Sequence, residues 1–255
     1  MLANLWRGVK RSVRFNVSNR IQRVGLLFDQ DEFNVVSTPG TIDVNLEHLM
    51  HPEREEPLRV GLINLTTRVT GSPYHLIREE IFKAFHSGKY DLIICPEYAF
   101  ANLDKVMEAY FVEEMRLLSL EGDCAINPGS FYHDSDSEKS SYVFHNGDIY
   151  EFKKGVGPYT DFPLWGLKSG LEICSDRGRY KLQGIDDLDL LLHPSAGLST
   201  PRMDSVRVGG YGINNNGYKN TSCKVLFREE KGVRTVFAHN TTAREDNCNA
   251  WMTIT

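Results

Sequence analysis

This 255-residue sequence has no apolar run near the roughly 18 residues that a membrane-crossing helix needs, so no integral membrane association is expected. No apolar block of roughly 7–15 residues follows the basic start, which argues against a secretory signal. Cysteine is scarce, with five at positions 95, 124, 174, 223 and 248 and no C-x-x-C spacing. An odd, scattered set argues against a disulfide framework or a zinc site, and for free thiols in a reducing, cytoplasmic compartment. Phosphate loops are missing as well, because GVGP and GGYG fit neither G-x-G-x-x-G nor G-x-x-x-x-G-K-S/T. The acidic run DSDSEKSS at 134–141 lacks the central glycine of a calcium loop and reads as a solvated hairpin loop. No cofactor and no metal are therefore expected. Positive charge is not in excess either: the formal net charge of −5 argues against a general nucleic-acid binder.

With 41% hydrophobic and 25% charged residues, the composition is that of a globular chain able to bury one large core. The charge is uneven. Residues 1–23 hold Arg7, Lys10, Arg11, Arg14, Arg20 and Arg23 with no acid, which leaves −11 on the rest (−5 minus 6). The plain reading of this start is a solvated arm; contact with anionic surfaces and targeting stay open. Residues 1–57 form an N-terminal extension. Its RVGLLFD and FNVVSTPGTIDV segments suggest short strands, and NLEHLMHPEREEP a short helix stopped by prolines.

Residues 58–255 form the main domain, opening on a buried strand at 58–65. A helix follows in SPYHLIREEIFKAFHSGKY, with Ser72 as N-cap and Leu76, Ile77, Ile81, Phe82 and Phe85 facing inward. Next come a strand at 91–96 and a second helix around 103–122 whose apolar face joins Val106, Tyr110, Met115 and Leu118. Strands are expected near 125–132, 142–144, 149–154, 170–174 and 188–193. VRVGGYGINNNGY is too rich in Gly and Asn for a helix. Strand–helix alternation giving way to strands predicts an α/β fold with helices covering a sheet.

Three apolar strands end on chemistry. YDLIICPEYAF ends on Glu97, DIYEFKK on Lys153 and Lys154, and LKSGLEICSD on Cys174. A nucleophile, a carboxylate and an ammonium are the inventory for acyl transfer from an amide. Strand alternation puts Lys154 on the face of Tyr150 and Phe152, so Lys154 is chosen for the site; the interval to Pro158 and Asp161 would favour Lys153 instead. His193 and His239 also end strands. His193 is the one candidate base for a rival Cys–His protease, and a hydrogen-bonded structural histidine is the plainer reading.

The order Glu, Lys, Cys resembles the nitrilase, or carbon–nitrogen hydrolase, superfamily from about Leu58 onward. LRVGLINL, DLIICPEYAF, INPGSFYH, NGDIYEFKK, GLKSGLEICSD, LDLLLHPSAG and GVRTVFAHN are similar, in order, to that family's strands and strand ends. The resemblance implies a four-layer αββα sandwich with helices on both outer sides. It also implies a Glu97–Lys154–Cys174 triad, the Ser175 N–H as oxyanion donor, and hydrolysis of a non-peptide amide-type bond through a Cys thioester. Two departures stand out. Ser175 replaces the family's aromatic residue, and only twenty positions separate Lys154 from Cys174, which shortens a loop that commonly supplies a second glutamate; Asp161 is the candidate stand-in. These departures keep two alternatives in view: a catalytically inactive binding, regulatory or host-directed protein, and an amide-forming acyltransferase. The partner expected is a small-molecule amide, with a homodimer left open.

Overall fold

The computed structural model describes residues 40–64, 74–97, 99–101, 103–132, 139–196, 200–217 and 220–242. The basic arm, RVGLLFD, Ser72, Pro73, most of the acidic run and Cys248 lie outside the described residues. Two sheets organise the rest. The first contains β1 (Gly40–Met50), β2 (Pro57–Asn64), β3 (Leu92–Ile94), β4 (Phe100–Ala101), β5 (Ala125–Asn127), β6 (Ser130–Tyr132), β7 (Lys139–His145) and β8 (Asp148–Lys153). Its order is β1-β2-β3-β5-β7-β6-β4, with β8 paired to β7. The second contains β9 (Phe162–Leu164), β10 (Leu167–Leu171), β11 (Leu188–Ser195), β12 (Val206–Asn216), β13 (Asn220–Glu229) and β14 (Gly232–Thr242), in the order β14-β13-β12-β11-β10-β9.

The apolar runs of the central strands follow from burial on both faces. On β2 and β3, Leu58, Val60, Leu62, Leu92 and Ile94 enter one core with Leu171, Leu190, Leu192 and Ile213 of the second sheet. The alternate residues Ile63 and Ile93 are equally buried, on the face that α1 (Tyr74–His86) covers with Ile77 and Ile81. α2 (Lys105–Ser119) packs beside β5 and β7. It starts where Asp104 Oδ1 accepts from the Met107 N–H at 2.7 Å. Arg78 on α1 and Glu114 on α2 join the two helices in a bidentate ion pair. After α2, the only α-helix among the described residues is α3 (Arg179–Leu182).

Several expected elements differ, among them the strand expected near 125–132, which is two strands, β5 and β6, each paired with β7. The helix expected in NLEHLMHPEREEP is strand: β1 pairs antiparallel with β2 from Gly40↔Asn64 to Met50↔Pro57, with an irregularity after Leu46. Val44 and Leu46 are buried while Asn45 and Glu47 are exposed, so pairing on an open sheet edge overrides the local helical spacing. This ladder carries the sheet across the sequence boundary at 57/58. On α2 the buried stripe is Met107, Phe111, Met115 and Leu118, whereas Val106 and Tyr110 are 64% and 60% exposed. Met115 and Leu118 face inward as expected, and in the first two turns the buried positions are each one residue, about 100° of rotation, from those expected.

Candidate active site

The chemistry-bearing residues gather beyond the C-terminal ends of strands, where open α/β sheets present their loops. β3 leads into Cys95, Pro96 and Glu97, and the Cys95 N–H donates to Asn127 O at 2.8 Å. Gly129, at φ +89, backs this arm; a Cβ there would lie 2.0 Å from Pro96 O, so the close approach demands glycine. From the second sheet, Asn215 Nδ2 donates to Ile63 O at 2.9 Å and Ile94 O at 2.8 Å, bolting both strand ends to β12.

Glu97 is 2% exposed, and its Oε1 accepts from Lys154 Nζ at 2.7 Å. Lys154 follows β8 directly, where its N–H donates to Lys139 O at 2.8 Å. Its neighbour Lys153 points away, with its side chain 48% exposed and its nearest carboxylate, Glu151, at 4.0 Å. A second ammonium, Lys139 Nζ, sits 3.6 Å from Glu97 Oε1. The other carboxylate oxygen, Oε2, is buried and has no oxygen or nitrogen partner among the described residues; the Cys174 thiol is close enough to interact with this carboxyl.

Cys174 does not close β10 as expected. The strand ends at Leu171, and the cysteine opens a 3-10 turn, Cys174–Asp176, at φ +48. A non-glycine residue there is strained by about 1–2 kcal/mol, and its surroundings must hold it. His193 Nε2 donates to Cys174 O at 2.9 Å, and the Arg177 N–H donates to the same oxygen at 3.3 Å. Glu172 accepts from the Gly178 N–H at 2.8 Å and the Tyr180 N–H at 3.2 Å, closing the loop behind the turn. Asp176 accepts from the Gly155 N–H at 2.8 Å and from the Tyr159 hydroxyl, tying the turn to the Lys154 segment.

The thiol is 8% exposed, with Sγ 4.0 Å from Ala196 O. Burial pushes its pKa up from the ordinary value; the Glu97 charge adds to this, and the Lys154 ammonium opposes it. Both leading causes favour the neutral thiol over the thiolate. The Ser175 N–H has no acceptor among the described residues, and Ser175 itself is exposed.

No protein-family model matches the sequence, and no curated protein matches it. Solved structures do. An amidase from Nesterenkonia sp. AN1, a glutamate-to-glutamine mutant showing covalent addition of the acetamide moiety of fluoroacetamide at its active-site cysteine, is 12% identical with a TM-score of 0.53 over 71% of this chain and 85% of that one. The fold is nitrilase-like. A CN-hydrolase superfamily protein of Xanthomonas campestris, XC1258, with an arsenic adduct in its active site, is 15% identical with a TM-score of 0.49, over 70% of this chain and 89% of that one. A glutamine-dependent NAD+ synthetase from Acinetobacter baumannii is 14% identical with a TM-score of 0.41, over 72% of this chain and 42% of that one.

Within this nitrilase-like fold, Glu97, Lys154 and Cys174 are brought together and Lys153 is not. Asp161 is exposed and stays outside the cluster, facing Lys168 and Tyr180 electrostatically, so the shortened loop does not supply a stand-in carboxylate there. His193 spends Nε2 on a main-chain carbonyl and Nδ1 on Asn214, which leaves no nitrogen for the thiol. His239 lies on β14, at the opposite edge region of the second sheet from β10. Lys139, Glu172, Asp176 and the Asn214–Asn215 pair were missed. Glu172, a carboxylate inside the apolar LEIC, carried the same signal as Glu97; Lys139 was hidden in a run read as solvated, and it instead begins β7.

Proposed function

We propose that the protein is a thiol-dependent hydrolase of a non-peptide amide-type carbon–nitrogen bond. The observation that carries this reading is a fully buried carboxylate, Glu97, with one oxygen on the Lys154 ammonium and the other without a nitrogen or oxygen partner among the described residues, interacting with a cysteine held in a strained turn. Cys174 Sγ attacks the amide carbon while its proton passes to Glu97. The Lys154 ammonium and the Ser175 N–H hold the developing oxyanion. Collapse breaks the carbon–nitrogen bond, and Glu97 returns the proton to the departing amine. Glu97 then takes a proton from water, whose oxygen attacks the thioester and releases the acid and the thiol. Every proton moves through one carboxylate, so no histidine is required. No metal or cofactor enters this scheme.

The test is a screen of purified protein against a library of small primary and secondary amides, read as released ammonia or amine. Release that disappears in Cys174→Ala supports the reading. Release that persists in that variant, or no release of any amine together with an unreactive Cys174, contradicts it.

A further inference from the structure

The strained cysteine needs a fixed main chain, and a side-chain hold on its carbonyl comes from two residues outside the triad. Asn214 Nδ2 lies 2.9 Å from His193 Nδ1, 3.1 Å from His193 O and 2.8 Å from Ser195 Oγ. Because a carbonyl can only accept, the amide nitrogen must face it, its two N–H groups are shared among the three contacts, and since an amide nitrogen cannot accept, Nδ1 carries no proton toward it. Nδ1 is then an acceptor, and the proton of the neutral ring sits on Nε2. That nitrogen faces Cys174 O, another obligate acceptor, at 2.9 Å. Every bond in the chain agrees on one tautomer. The residues lie at the C-terminal ends of adjacent parallel strands, His193 on β11 opposite Asn214 on β12. Both are fully buried.

We propose that His193, locked as the Nε2–H tautomer by Asn214, is a positioning residue that fixes the carbonyl of Cys174 and so aims the thiol at Glu97. The proposal rests on the hydrolase reading. Burial holds the imidazole neutral, its pKa below the ordinary value, against the opposing influence of Glu97; Lys154 and Arg177 also disfavour a charged ring. A second positive charge under the turn is thereby avoided.

The experiment follows alkylation of Cys174 by iodoacetamide across pH, resolved by peptide mass spectrometry, in wild type and in His193→Phe, His193→Gln and Asn214→Asp. Loss of the donor in His193→Phe should slow Cys174 about tenfold or more, since a misaimed nucleophile of this kind loses up to about 10²-fold. His193→Gln keeps an N–H donor and should recover most of the rate. Asn214→Asp places a carboxylate against Nδ1, favours the imidazolium beneath the turn and should shift the Cys174 alkylation profile to lower pH at an unchanged thermal melt. Thermal melts check that each variant is folded. If His193→Phe misfolds, the Gln and Asp variants carry the test. Equal damage from Phe and Gln, or an Asp variant with an unmoved profile, overturns the proposal while leaving the hydrolase reading intact. A wild-type Cys174 that does not react overturns the hydrolase reading, and the proposal with it.

Discussion

Replacing Lys154 by Met separates the structural and chemical duties of one ammonium. The ion pair with Glu97 is 2.7 Å long, the lysine side chain is 17% exposed and the glutamate side chain 0%. Removing one partner of a buried pair strands the other charge, at a cost of about 3–5 kcal/mol. Lys139, 3.6 Å from the same oxygen, remains as a counter-charge and keeps the loss near the lower limit. A loss of about 3 kcal/mol lowers Tm by roughly 6–12 °C in a protein of this size. The chemical loss is separate. Losing one oxyanion donor costs about 10²–10³-fold in kcat. Lys153→Met, which removes a half-exposed side chain, should change Tm and kcat little. Calorimetry and turnover on the amide found by screening read the two effects independently. A Lys154→Met protein with wild-type kcat, or an inactive Lys153→Met protein beside it, refutes the assignment.

Cys174→Ala should abolish turnover with a melt close to that of wild type, because little of the fold depends on a small side chain at the start of a turn. Gly129→Ala should destabilise severely and cut activity, since its Cβ would meet Pro96 O at 2.0 Å in a left-handed conformation; a melt within a few degrees of wild type would show that the arm is not so tightly seated. Glu172 should make stability fall with pH. Burial pushes its pKa from the ordinary 4.5 up to about 7, so the folded state binds the extra proton. The stability is present in full below the ordinary value and lost as pH rises through about 7, amounting to about 3 kcal/mol, and Glu172→Gln should flatten denaturant midpoints between pH 5 and 8.

The strands that carry Glu97 and Lys154 were legible because burial on both faces, or alternation against a covered face, writes itself into the residue pattern. Alternation also separated Lys154 from Lys153, since its period of two is a property of the chain itself. The second half of β1 was not legible, because Leu46 and Leu49 fit a helix until the edge of β2 offers hydrogen bonds; its first half, GTIDV, is strand as expected. Nor was the turn at Cys174: nothing in an IC-S-D sequence signals a left-handed cysteine, which is held by His193 from β11 and by the bonds of Asp176 to Gly155 and of Glu172 to Gly178. The same holds for Lys139, whose polar neighbours gave no sign that its ammonium turns toward a buried carboxylate. Asp161 failed as a stand-in because spacing along a shortened loop does not determine where the loop points.

The most direct test of the central claim is the alkylation rate of Cys174 at neutral pH in wild type and in Glu97→Gln. Glu97 can affect the thiol in two opposing ways. As a fixed negative charge it raises the thiol pKa, so its removal should speed alkylation; as the proton acceptor it assists the attack, so its removal should slow it. The proposed mechanism predicts that wild-type Cys174 reacts ahead of the buried Cys95, Cys124 and Cys223 and slows about tenfold or more in Glu97→Gln. A Cys174 that reacts last of these four, or faster in Glu97→Gln than in wild type, contradicts it.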